Sequence, residues 1–278
     1  MEIITPHTPY AGPLKGAILD WAGTAVDYGC LGPAAVFVDV FKKFRVEVTI
    51  DEARQFMGLM KKDHIRCMLN LPGIRKRWEA AHKSAPEESD VDALYRETEP
   101  MMVSAIHRHG ELIPGLLETV AEMRGMGMKI GSCTGYTTPM MAVLVPLSKR
   151  QGYVPDAVKC STDVPRGRPH PWMCYLNAIE MDIYPMSALV KIGDTISDIQ
   201  EGLNAGMWTI GLTQSGNELG LSREAAEALP ESVLNEKLKG IEKRFRDAGA
   251  HYTAKGIWEC LPIIDDINRW LANGEQPL

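Results

Sequence analysis

Five short apolar runs punctuate the chain: "GAILDWA" (16–22), "KIGSC" (129–133), "DAVKC" (156–160), "LVKIGD" (189–194) and "WTIGL" (208–212). Each is too short for a typical helix, which is the pattern of a strand buried on both faces of a parallel sheet. Between the later runs, amphipathic stretches predict helices over 115–126, 139–151, 171–180 and 197–205. Strand alternating with helix predicts an α/β protein built on a doubly wound, Rossmann-like parallel sheet. Its chemistry belongs at the carboxyl ends of the strands.

One interval breaks this rhythm. From Asp27 to His109 there is no convincing strand, only charged amphipathic segments such as "AAVFVDVFKKF", "DEARQFMGLMKKDHIRCML" and "DVDALYRETEPMMVSAI". It is too long for a crossover and too regular for a loop, so it reads as an inserted helical domain. The expected division is a core of residues 1–27 and 110–278 and a helical cap of residues 28–109, closed off by "GELIPG". After Leu212 the chain reads as helical and polar, ending in the amphipathic "GIWECLPIIDDINRWLANG".

Composition narrows the classes. The 278 residues are 45% apolar and 24% charged, as in an ordinary folded protein, with a formal charge of −6. That charge argues against a nucleic-acid partner, and no apolar run is long enough to span a bilayer. The start, "MEIITPHTPYAGPLKG", lacks the apolar core of a secretory signal. Six scattered cysteines without a C-x-x-C pair read as reduced thiols, and a cytoplasmic location is expected.

The candidate chemistry lies just past the apolar runs. Asp20 ends "AILD", Thr134 and Gly135 follow the second strand, Arg168 stands in "GRPHPWM", and Asp194 with Asp198 lies in "KIGDTISDIQEG". Singly, each has an ordinary structural reading: a turn aspartate, a helix-capping threonine, a surface cation. Together they suit phosphoryl transfer. Asp20 and Asp194 offer hard oxygen ligands for Mg²⁺, with the backbone carbonyl of Ala22 as a further one. Arg168, Thr134 and the turn amides would neutralise the phosphoryl oxygens while Asp20 forms an aspartyl-phosphate.

At this point the chain resembles the haloacid dehalogenase superfamily. Its four motifs span Lys15 to Gly211, and the helical insert is similar to that family's cap. The resemblance implies Asp20 as nucleophile, Thr134 and Arg168 on the phosphoryl group, and Asp194 with a more distant Asp198 holding magnesium.

One position departs from common phosphatase chemistry. An acid two residues after the nucleophile protonates a departing alkoxide, and here that residue is Ala22. General-acid help is worth about 10²–10⁴ in rate. A carbon leaving group does not call for this acid, because an iminium beside the carbon takes up the electrons as an enamine. That requires a reactive lysine. In "FMGLMKKDHIRCML", Met57, Lys61, His64 and Met68 fall on one helical stripe, while Lys62 points about 100° away. A solvated face with methionine packing is the ordinary reading of this stripe.

The motifs "DWAGTAVDYGC", "MGLMKKDH", "TGYT", "VPRGRPHPWMCY" and "GDTISDIQEGLNAGMW" are similar to those of the phosphonoacetaldehyde hydrolases, nearly end to end. That resemblance implies Lys61 as the Schiff-base lysine, and Cys30, Met57, His64 and Tyr136 as residues that line the site or handle protons. It also implies a phosphonate substrate against Ala22 and Gly135, magnesium, a cytoplasmic location and a homodimer joined through the caps. Two rivals stay open: a magnesium-dependent phosphomonoesterase or phosphomutase, and a non-catalytic sensor of a phosphorylated ligand.

Overall fold

The computed structural model describes residues 10–277; residues 1–9, most of the N-terminal stretch judged above, lie outside them. Six parallel strands form one sheet: β1 (Gly16–Leu19), β2 (Lys129–Thr134), β3 (Ala157–Cys160), β4 (Leu189–Gly193), β5 (Trp208–Leu212) and β6 (Tyr252–Ala254). Their order is β3-β2-β1-β4-β5-β6, the doubly wound arrangement expected from the alternation. The sequence winds outward in one direction from β1 to β3 and restarts beside β1 with β4. The crevice at that reversal is where such sheets bind ligands. Leu19 of β1 stands in register with Ile192 of β4 and Ser132 of β2, so the strand ends that carry Asp20, Thr134 and Asp194 lie side by side.

Strands β1 and β4 are wholly buried, which is why they read as unbroken apolar runs. β6 was not expected, since the tail after Leu212 reads as helical. It has three residues and a single partner, β5, and so leaves almost no periodic signal. The other core helices are α6 (Leu116–Gly125), α7 (Thr138–Arg150), α8 (Trp172–Glu180), α9 (Ile196–Asn204), α10 (Arg223–Glu227), α11 (Glu231–Asp247) and α12 (Cys260–Ala272).

Between β1 and α6 lie five helices and no strand: α1 (Leu31–Lys43), α2 (Ile50–Arg54), α3 (Lys61–Asn70), α4 (Pro72–His82) and α5 (Glu88–His109). The single helical stripe expected to join Met57 to Met68 is broken. Gly58 takes φ +87°, a left-handed conformation that L side chains rarely adopt, and α3 starts afresh at Lys61. Met57 is therefore in a turn and not on the helix of Lys61, His64 and Met68. A continuous apolar cluster joins Phe37, Phe41, Ile65 and Trp78 of this helical segment to Leu19 and Trp21 at the sheet.

Candidate active site

Asp20 follows β1 directly, and its backbone N–H donates to Ile192 of the neighbouring strand at 3.0 Å. Thr134 ends β2, where its hydroxyl accepts the backbone N–H of Tyr136 at 3.1 Å. Asp194 follows β4. Its carboxylate accepts the backbone N–H of Asn217 at 2.7 Å and lies 3.3 Å from the Thr24 hydroxyl. Asp198 sits in the first turn of α9, which begins in a capping box with Thr195; the Thr195 hydroxyl donates to Asp198 at 2.6 Å.

Oxygens of Asp20, Asp194 and Asp198 all come within 4.8 Å of one another, and all three side chains are buried. Burial, then the neighbouring carboxylates Asp20 and Asp198, push the Asp194 carboxyl well above its usual range. Burial likewise raises Asp20 against the opposing pull of Arg168. Asp198 goes the other way: despite burial, Arg168 and Lys191 hold it low. Counting Glu201, four buried carboxylates meet two paired buried cations, Arg168 and Lys191. An all-oxygen donor set with surplus negative charge fits a hard divalent cation.

Arg168 is not the surface cation of its ordinary structural reading. Its side chain is fully buried, with Nη2 2.6 Å from Asp20 and 3.0 Å from Asp198, and Nε 2.8 Å from Glu201. Lys191 adds a 2.6 Å ion pair to Asp198. Cys133 belongs to the same network: although burial opposes it, the hydrogen bond from Cys174 and the cations Lys191 and Arg168 draw its thiol down to about 5. Burial pushes Glu201 up to about 8. Sequence reasoning missed Lys191, Glu201 and Cys133, although two signals were present. A lysine inside an otherwise apolar strand needs a partner, and Glu201 lies three residues after Asp198, on the same helical face.

Above the carboxylates is a narrow cavity of about 20 Å³, room for a water molecule or two. It is lined by Asp20, Ala22, Cys30, Met57, Lys61, Thr134, Gly135, Tyr136 and Arg168, together with Pro33, Gly58 and Thr195. The turn and α3 thus bring Met57 and Lys61 to one site without the shared helix. Lys61 is 3% exposed, its ammonium 4.9 Å from the Tyr136 ring centre and 5.8 Å from that of Phe37. Desolvation is the largest influence on it and lowers its pKa to about 8. Lys62 points outward to Asp92 (2.5 Å) and Glu88 (3.4 Å), and the hydrogen bond to Asp92 raises it.

His64 is not among the cavity-lining residues. It stacks on Phe37 with ring centres 3.9 Å apart, and Nε2 lies 2.8 Å from the Ala53 carbonyl oxygen. Burial and the nearby Lys61 keep it neutral, with its pKa well below the ordinary value. The donor on Ala53 is then Nε2–H, which leaves the buried Nδ1 as an acceptor without a partner. Burial, Asp194 and Asp27 push the Cys30 thiol up, so it stays protonated. All six cysteines are free, and among the described residues no helix is long and apolar enough to cross a membrane.

Comparison with known proteins identifies the family. The family model for haloacid dehalogenase-like hydrolases matches residues 14–206. A phosphonoacetaldehyde hydrolase-like protein of Syntrophobacter fumaroxidans is 53% identical over 277 residues, covering 100% of both chains. A phosphonoacetaldehyde hydrolase of the same organism is 51% identical, again over 100% of both. The crystal structure of a phosphonoacetaldehyde hydrolase-like protein from Oleispira antarctica superposes with a TM-score of 0.97 at 39% identity, covering 99% of this chain and 100% of that one. The chain is a hydrolase and belongs to the phosphonoacetaldehyde hydrolase family within the haloacid dehalogenase-like hydrolases.

Proposed function

We propose that this hydrolase cleaves the carbon–phosphorus bond of phosphonoacetaldehyde, giving acetaldehyde and phosphate. One juxtaposition carries the reading. Lys61, buried and with a lowered pKa, lines the same cavity as Asp20, and Ala22 stands where an ester-cleaving relative would need an acid.

The neutral amine of Lys61 adds to the aldehyde carbon; the carbinolamine takes up one proton from solvent and expels its oxygen as water, leaving an iminium. Asp20 then attacks phosphorus. The P–C bonding pair moves onto carbon and is delocalised into the iminium as an enamine, so no proton is needed on the leaving atom. Protonation at carbon and hydrolysis of the resulting imine release acetaldehyde and restore Lys61. Water cleaves the aspartyl-phosphate, and Asp20 is regenerated.

Thr134 and Gly135 line the cavity and would face the phosphoryl oxygens, and Arg168, which also lines it, neutralises Asp20 at 2.6 Å. Magnesium held by Asp20, Asp194 and the Ala22 carbonyl, with Asp198 behind, would supply positive charge opposite the phosphoryl group. Cys30, Met57 and Tyr136 enclose the aldehyde end. The unpartnered Nδ1 of His64 would relay a proton near Lys61 only in passing, since burial and Lys61 hold the ring neutral. Cytoplasmic placement and a homodimer joined through the helical segments belong to the same proposal and rest on the family resemblance alone.

The test is Lys61→Arg, assayed for acetaldehyde and phosphate released from phosphonoacetaldehyde. Both products should be lost while the far-ultraviolet circular dichroism is unchanged. Retained turnover would overturn the imine route and return Asp20 to ester hydrolysis.

A further inference from the structure

A cavity with room for only a water molecule or two cannot admit phosphonoacetaldehyde until the helical segment shifts. What holds that segment shut is then part of the catalytic cycle. One residue spans the boundary in an unusual way. Arg54, the last residue of α2, directs Nη1 to the Gly29 carbonyl at 2.9 Å and to Asn217 Oδ1 at 3.0 Å, and Nη2 to the Gly220 carbonyl at 3.2 Å. Asn217 answers: its Nδ2 donates to the Arg54 carbonyl at 3.2 Å. Among the described residues no carboxylate lies within ion-pair distance of Arg54. Its guanidinium is satisfied by neutral oxygens, so its hold depends on the shape of the loops and not on charge alone.

Those loops lead straight to the acidic cluster. The backbone N–H of Asn217 donates to Asp194, the Ser215 hydroxyl donates to the Gly23 carbonyl at 2.9 Å, and the Gly29 N–H donates to the Ser215 carbonyl at 2.7 Å. Gly220, at φ +67°, lies so close that an added Cβ would meet the Arg54 guanidinium at 2.8 Å. One side chain of the helical segment thus grips the linker at Gly29 and the loop that orients Asp194.

We infer that Arg54 and Asn217 form a clasp that couples closure of the helical segment to the arrangement of Asp194, making both positioning residues. Neither lines the cavity. Binding of a cation at the acidic cluster favours the closed segment through Asn217, and closure in turn favours the arrangement of Asp194 that holds the cation, as linkage requires. This inference rests on the reading of Asp20, Asp194 and Asp198 as a magnesium site.

The test measures hydrogen exchange of the full chain with and without magnesium, in the wild type, Arg54→Ala, Arg54→Lys and Asn217→Ala. In the wild type, magnesium should slow exchange about tenfold both in peptides containing Asp194 and in those spanning 55–60. In Arg54→Ala and Asn217→Ala, protection around Asp194 should persist while protection of 55–60 falls to less than twofold. Lysine, unable to reach three carbonyl oxygens at once, should fall between. In turnover, the double variant should lose no more kcat/KM than the worse single one, because the two act as one unit. Undiminished protection of 55–60 in Arg54→Ala, or losses that multiply, would overturn the clasp. No magnesium effect on the Asp194 peptides of the wild type would overturn the metal site and the clasp with it.

Discussion

At the residue scale, Lys61 sets stability against chemistry. Its pKa falls from an ordinary 10.5 to about 8, with desolvation the main cause. The folded state therefore releases this proton more readily than the unfolded chain. The resulting cost to stability is full below pH 8 and is relieved as pH rises toward 10.5. A shift of this size corresponds to about 3 kcal/mol. Lys61→Met, which keeps length but removes charge, should be inactive yet more stable at pH 7 by up to about 3 kcal/mol. The gain should shrink when urea unfolding is repeated near pH 10. Equal stability of the two proteins at pH 7 would show that the lysine is not strained by burial. For the same reason, turnover of the wild type should rise with pH through about 8, as the neutral amine becomes the major form; a profile flat from pH 6 to 9 would contradict this.

Among the elements, the turn before α3 and the end of β2 are fitted to each other without slack. A Cβ on Gly135 would stand 2.5 Å from the Leu59 carbonyl oxygen and 2.7 Å from that of Gly58, backbone atoms that cannot rotate away. Gly135→Ala should push the 57–60 turn outward, moving Lys61 away from Asp20. A destabilisation of about 1–3 kcal/mol is expected, with a larger loss in kcat/KM than stability alone explains; unaltered kinetics would mean the turn is free to move. This fit shows where sequence reading succeeds and where it stops. The strands that carry Asp20, Thr134 and Asp194 announce themselves because burial on both faces demands apolar runs. β6 is too short to do so, and Gly58 breaks a helix that apolar spacing alone would have continued. Asp20, Thr134 and Asp194 were legible as residues at strand ends, and Arg168 as a cation just before α8. The burial of Arg168 among Asp20, Asp198 and Glu201 was not, because ion pairing across helices and strands leaves no local pattern.

At the scale of the whole molecule, the two halves of the chemistry come from different parts of the chain: the carboxylates from the sheet, and the lysine from the helical segment inserted after β1. The acidic cluster is the liability of the unliganded fold, since like charges are held together in a dry site. Magnesium should therefore raise the thermal midpoint, by the equivalent of about 2.7 kcal/mol at a hundredfold excess over its dissociation constant. Asp194→Asn should abolish that rise. Identical midpoints with magnesium and with chelator would argue against the site.

The central claim is that Lys61, and not a carboxylic acid, takes the electrons of the broken bond. Borohydride reduction of the protein mixed with phosphonoacetaldehyde, followed by peptide mass mapping, tests it most directly. The account predicts a two-carbon adduct on Lys61 and none on Lys62. Phosphate release without any adduct, or an adduct on Lys62 alone, would contradict it.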